Sequence, residues 1–130
     1  MEAAITAGRR GHKVILCEKS DHLASNLDYA KQIPFKKDIV DFLKSLEINL
    51  QRTPNVELRL NTPVTDELIA AEKPDVLIVA CGAEPVTPPI PGLDKPNVHH
   101  ITGLFKANID VGRKVVIIGG GLAGCEEGLS

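Results

Sequence analysis

The tightest constraint on this chain lies in its closing stretch. Lys114 leads into Val115, Val116, Ile117 and Ile118, and Gly119-x-Gly121-x-x-Gly124 follows without a gap. Four successive apolar residues between a charge and a glycine fit a strand buried on both faces, as in a parallel sheet. The glycines then have separate tasks. The first permits a tight turn, the second lets backbone approach a pyrophosphate, and the third lets the following helix pack closely on the strand. Free N–H groups and the positive dipole end at that helix start suit phosphate oxygens. The strand–turn–helix context favours phosphate binding over a plain glycine turn and predicts an α/β fold.

The beginning of the chain reads as the complementary half of such a unit. Residues 1–10 are Ala-rich and helical in propensity, and Gly11 is a natural stop after Arg9 and Arg10. Residues 13–18 read as a buried strand ending in Glu18. An acidic residue at that point of a βαβ unit accepts hydrogen bonds from a ribose, although a strand-end glutamate alone is more commonly just solvated.

Between these ends the pattern alternates. A polar loop over 19–34 precedes a helical stretch from Phe35 to about Gln51, where Ile39, Phe42, Leu43, Leu46 and Leu50 share one face. Residues 56–60 alternate as a short strand, and Thr65 caps a brief helix whose first turn holds Asp66 and Glu67. Pro74 ends it. Residues 75–80 read as a second strand, apolar from Val76 to Ala80 and closing on Ala80, Cys81 and Gly82, small residues that allow close approach of a ligand. Pro85, Pro88, Pro89, Pro91 and Pro96 mark an extended connection. A short strand at 99–101 and a short helix at 102–108 are expected before the final strand. His99 and His100 would point to opposite faces of that strand with no third ligand near, so no metal site is expected.

Composition narrows the function classes. Hydrophobic residues make up 43% and aromatic ones only 3%, so the core must be aliphatic. A net charge of −2 without a basic run argues against nucleic acid and anionic membrane surfaces as partners. No apolar segment approaches the roughly 18 residues of a membrane span. Cys17, Cys81 and Cys125 stand far apart with no Cys-x-x-Cys, which fits a reducing cytoplasm and offers neither a disulfide framework nor a metal site.

Three stretches together carry a family resemblance: Glu2-Ala-Ala-Ile-Thr-Ala-Gly-Arg-Arg-Gly-His-Lys-Val-Ile-Leu-Cys-Glu-Lys19, Leu77-Ile-Val-Ala-Cys-Gly-Ala-Glu-Pro85, and the terminal glycine motif. They resemble the NADH:flavin oxidoreductases related to old yellow enzyme, of the 2,4-dienoyl-CoA reductase and trimethylamine dehydrogenase type. Those enzymes join an FMN-bearing barrel and an iron–sulfur cluster to a C-terminal part built like glutathione reductase, and the likeness lies wholly in that last part. The resemblance implies that Glu18 and Lys19 sit at the adenosine ribose of FAD or ADP, and that the backbone of Val64 meets the adenine. It places Ala80, Cys81 and Gly82 beside the flavin nucleotide. Gly119, Gly120, Gly121, Leu122, Ala123, Gly124 and Glu126 match the NAD(P)H motif of a second Rossmann unit. FMN and the iron–sulfur cluster would lie outside this chain.

The departures matter as much. The glycine motif of the FAD site should immediately precede Met1, Cys81 stands where a Thr is usual, and Leu23-Ala-Ser-Asn-Leu27 replaces a Gly-Gly loop. No Cys-x4-Cys pair supports thiol–disulfide chemistry. The expected organisation is a partial FAD/ADP-binding domain over 1–84, a Pro-rich connection over 85–113, and the opening of an NAD(P)-binding unit over 114–130. The expected fold is a three-layer Rossmann-like α/β domain with a central parallel sheet, incomplete or permuted. In the permuted form, strand 114–118 fills the vacant first-strand position, within one chain or in a swapped homodimer. The expected function is that of a nucleotide-binding fragment of a flavin-dependent NAD(P)H oxidoreductase, whose partners are adenine dinucleotides and the rest of the parent enzyme. It has no catalytic residues of its own and is inactive in isolation. A free-standing adenine-nucleotide binding module is the alternative.

Overall fold

The computed structural model describes residues 1–28, 30–107 and 109–129. Helix α1 (Glu2–Arg9) leads into strand β1 (Val14–Cys17), and three short 3-10 turns follow at Ser25–Leu27, Ala30–Gln32 and Pro34–Lys36. Then come α2 (Lys37–Arg52), β2 (Val56–Arg59), α3 (Asp66–Glu72), α4 (Ile101–Ala107) and α5 (Leu122–Glu127).

The first half is a β–α–β crossover. β1 and β2 pair in parallel, with Val14 opposite Val56 and Cys17 opposite Arg59. Parallel strands need a long connection, and α2 supplies it. Its Leu46 and Leu50 pack with Ala4 and Ile5 of α1 to form the core, with Met1, Val14, Leu16, Leu23 and Val56 partly buried around it. Contact between α1 and β2 depends on a missing side chain. A Cβ on Gly8 would come within 2.6 Å of Val56 Cγ2 and 2.8 Å of both the Pro54 oxygen and Thr53 Cγ2.

The ends of these elements use the expected chemistry. Gly11, at φ +90°, turns the chain out of α1. Thr53 is buried at the end of α2, its hydroxyl donating to the Asn49 carbonyl at 2.7 Å. Thr65 caps α3, accepting from the Leu68 N–H at 3.3 Å, and Lys73 closes that helix in the left-handed region. The stripe on α2 is narrower than the sequence reading: Leu43, Leu46 and Leu50 are buried, whereas Phe42 is 57% exposed. Phe42 lies about 100° around the helix from Leu43, at the edge of the apolar arc.

Three expectations from the sequence need correction. No strand forms at 99–101. Ile101 instead opens α4, whose first turn is tied by the Thr102 N–H donating to His100 Nδ1 at 3.3 Å. Asn108, at the end of the helix expected over 102–108, lies outside the described residues. The strand expected over 75–80 has no ladder partner among the described residues, and residues 76–79 are 54–77% exposed. Most important, residues 114–118 do not enter the sheet beside β1; among the described residues the sheet has two strands, β1 and β2. Their physical alternative is local. Ile117 lies against the helix that follows, where a Cβ on Gly124 would sit 3.3 Å from Ile117 Cγ2 and one on Gly128 3.1 Å from Ile117 Cδ1, while residues 115–118 stay 48–88% exposed. The parallel Rossmann-like core is therefore present without a permuted strand. Among the described residues no helix is long and apolar enough to cross a membrane.

Candidate nucleotide-binding site

Open α/β sheets bind ligands outside the carboxyl ends of their strands. At that end of β1, Glu18 is held on both backbone sides by the β2 strand and its extension. Its N–H donates to the Arg59 carbonyl at 2.9 Å, and its carbonyl accepts from the Thr62 N–H at 2.8 Å. Its carboxylate accepts from the Ser20 N–H through Oε1 at 2.8 Å. A half-buried carboxylate fixed by backbone in this way is oriented before any ligand arrives. Lys19 beside it is exposed, as is Val64. Ala80, Cys81 and Gly82 are exposed too, with Gly82 at φ +76°.

The terminal glycines divide by role. Gly119 turns at φ +108°, a conformation other residues rarely adopt. Gly121 is the residue before α5, and its carbonyl accepts from the Cys125 N–H at 3.0 Å. Gly124 packs so closely on the turn that a Cβ there would overlap the Gly119 carbonyl oxygen. By contrast, a Cβ on Gly119, Gly120 or Gly121 would meet nothing within 4 Å. Within the 119–124 turn, packing therefore demands glycine at 124 only, and leaves the surface over 119–121 open. Leu122 and Ala123 are exposed on that surface.

Glu126 faces elsewhere. Its Oε2 pairs with Lys36 Nζ at 2.5 Å, both side chains being mostly buried (16% and 18% exposed). This contact ties α5 to the turn preceding α2, across 90 positions of sequence. The Glu18 end of β1 and the glycine turn are otherwise not joined by any side-chain bond among the described residues.

One feature beside the site escapes sequence reading. In the loop after Glu18, His22 contacts Asp21 Oδ1 through Nδ1 at 2.5 Å and Asp28 Oδ2 through Nε2 at 2.8 Å. Lys31 also reaches Asp28, at 2.8 Å. The Asp21 and Asp28 hydrogen bonds raise the His22 pKa above its ordinary value. Burial pushes the Asp28 carboxyl up, but hydrogen bonds from Lys31 and His22 outweigh it and hold the group below its usual range. Ala24, where the resemblance expects glycine, still adopts the left-handed conformation at φ +60°.

Two concavities lie away from this site. A groove of about 680 Å³ runs along the start of α2 and is lined by Lys31, Ile33, Lys37, Asp38, Val40 and Asp41. A second of about 350 Å³ lies at the amino ends of the strands, beside Val14 and Val56. That is the wrong end of the sheet for a ligand. Among the described residues no group of three or more His, Cys, Asp or Glu is placed to hold a metal ion.

Comparison with known proteins gives one consistent answer. The sequence family described as pyridine nucleotide-disulphide oxidoreductase matches over residues 1–130. An NADH oxidase of Thermoanaerobacter brockii is 45% identical over 130 residues, covering 97% of this chain and 20% of that protein. A cinnamate reductase of Clostridium sporogenes is 39% identical, covering 99% of this chain and 19% of the relative. A solved 2-naphthoyl-CoA reductase in complex with 2-naphthoyl-CoA superposes with a TM-score of 0.86 at 32% identity, over 96% of this chain and 19% of that one. The chain thus spans about a fifth of the length of the relatives it matches.

Proposed function

We propose, from the premise that this chain belongs to the pyridine nucleotide-disulphide oxidoreductase family, that it is the dinucleotide-binding segment of a longer flavin-dependent NAD(P)H oxidoreductase. Residues 1–84 hold the adenosine side of FAD or ADP, with Glu18 at the ribose, Lys19 beside it and Val64 at the adenine. Ala80, Cys81 and Gly82 lie at the flavin nucleotide. Residues 114–130 open the NAD(P)H unit, residues 119–124 facing the pyrophosphate, and residues 85–113 join the two. The observation that carries this reading is the glycine turn, where packing requires only Gly124 and the faces of Gly120 and Gly121 stay open for a ligand.

Bound cofactors would supply the hydride chemistry, and this chain's residues supply position and charge. The donors fit. A strand-end carboxylate accepts ribose hydroxyls, and amides at a glycine turn donate to phosphate. Although the family's description names a disulphide, Cys17, Cys81 and Cys125 are free thiols far apart in sequence, and no thiol step is assigned to them. FMN and an iron–sulfur cluster belong to other parts of such an enzyme, as does the organic substrate.

The partner of this segment is the remainder of the longer polypeptide, which covers the apolar residues 76–79 and 115–118. In its absence a second copy exchanging residues 114–118 fits the same surface, and size measured against concentration tests that. A reducing cytoplasm is the location we propose, supported by the free thiols of Cys17, Cys81 and Cys125.

Calorimetric titration of ADP tests the ribose assignment. Glu18→Ala should weaken binding at least about tenfold, since a charged hydrogen bond contributes roughly 1.5–3 kcal/mol. Equal affinity for the two proteins defeats the role given to Glu18.

A further inference from the structure

The loop that follows Glu18 is held by side chains rather than by secondary structure. The Ser20 amide donates to Glu18 Oε1, and its carbonyl accepts from the Asn61 N–H at 2.9 Å. The Ser20 hydroxyl meets that of Ser25 at 3.2 Å. Next, His22 spans Asp21 and Asp28, and Lys31 anchors Asp28 from the following turn. The charged groups around the imidazole are therefore Asp21 and Asp28 on its own loop, with Lys31 reached through Asp28. Among the described residues no charged side chain of α1, α2 or either strand is bonded to the ring.

Imidazole chemistry gives this arrangement a condition. A neutral ring carries one N–H and one lone pair, so only one of its nitrogens can donate. Here both nitrogens lie within hydrogen-bond distance of carboxylate oxygens. With a single proton, one carboxylate would face a lone pair. Both contacts persist only when the ring is imidazolium.

We infer that His22 is a positioning residue whose imidazolium form latches residues 20–28 closed beside Glu18, so that the adenosine-side site is shaped by pH. This rests on the reading of Glu18 as the ribose acceptor. The link between latch and site is Ser20, bonded to Glu18 by its amide and to the latched loop through Ser25. Releasing His22 frees the segment carrying Ser25, and with it the hold on the Ser20 amide that orients the carboxylate.

The sign follows from the two shifts. His22 is raised, so its contribution is complete below about pH 6.5 and is lost as pH rises through the folded value. Asp28 is lowered, so its contribution is present above about pH 4 and is lost as pH falls further. The latch is closed between these limits and opens on the alkaline side.

Nuclear magnetic resonance of the 130-residue chain tests this directly. The His22 ring should titrate with a midpoint above that of an ordinary exposed histidine. Exchange protection of the Leu27 and Asp28 amides, which bond to Ala24 and Ser25, should fall through the same midpoint. In His22→Gln that protection should show no pH step, and Asp28→Asn should bring the midpoint down. ADP affinity in the wild type should weaken several-fold from about pH 6 to about pH 8, and stay flat in His22→Gln. A midpoint at or below the ordinary value overturns the latch, as does protection indifferent to His22 titration. ADP affinity that stays flat while His22 titrates overturns its coupling to the site. If Glu18→Ala binds ADP as tightly as wild type while the pH step in affinity remains, the ribose assignment fails and the latch stands.

Discussion

Gly124→Ala is expected to collapse the terminal turn and, under the role proposed for that turn, to remove dinucleotide binding with it. The added Cβ would overlap the Gly119 carbonyl oxygen and crowd Ile117. The first of these is backbone, so relief requires opening the turn rather than rotating a side chain. Overpacking of this kind costs about 1–3 kcal/mol, and a six-residue helix has little stability with which to absorb it. The amides of Cys125 and Gly128, which donate to Gly121 and Gly124 at 3.0 and 3.2 Å, should lose protection together. Gly121→Ala makes the contrast. Its backbone, at φ −75°, suits alanine and its Cβ meets nothing, so the amides should stay protected while NADH titration shows weakened binding. If Gly124→Ala keeps wild-type protection and affinity, the close packing assigned to the third glycine is wrong.

Gly8→Ala should destabilise the protein even though alanine is the better helix former. Two effects compete at this position. Replacing glycine inside a helix by alanine gains about 1 kcal/mol in propensity. Against that, the new Cβ would stand 2.6 Å from Val56 Cγ2 and 2.8 Å from the Pro54 oxygen and Thr53 Cγ2. Pro54 presents backbone, and Thr53 is buried with its hydroxyl committed to Asn49. Neither can step aside without moving β2. Because two of the three close contacts cannot yield, the steric cost of roughly 1–3 kcal/mol should win, leaving a net loss of up to about 2 kcal/mol. Urea unfolding of the two proteins decides it. A midpoint equal to or above wild type would show that α1 can lift from β2 at no cost.

Much of this architecture is legible in the sequence because repetition carries it. Leu43, Leu46 and Leu50 repeat at helical spacing, residues 14–17 form an unbroken apolar run, and Thr65 with Asp66 and Glu67 is a helix start that local chemistry dictates. Gly119, Gly121 and Gly124 are legible for a different reason, since their spacing encodes a backbone shape. What stays hidden is the choice of partner. Residues 76–79 and 115–118 look like buried strands because side-chain pattern reports a demand for burial, not who meets it. The His22 latch has no periodicity to betray it, as Asp21, His22 and Asp28 converge only through a loop with Ala24 in a left-handed turn. Likewise, nothing local announces that Glu126, read as a cofactor residue, meets Lys36.

The parallel pairing of β1 with β2 also sets an order of events in folding. Antiparallel strands can zip from a turn, but Val14 meets Val56 only after the chain has been carried back by α2. Helix formation takes on the order of a microsecond, and loop-closure cost grows only logarithmically with the span to be closed. On these rates α2 is expected to form before β2 reaches β1, docking Leu46 and Leu50 on Ala4 and Ile5. On the ribosome, where synthesis runs at about 5–20 residues per second, this nucleus is made before residues 76–79 and 115–118. The apolar residues 76–79 and 115–118 are then made against a finished crossover, which holds its register without waiting for them.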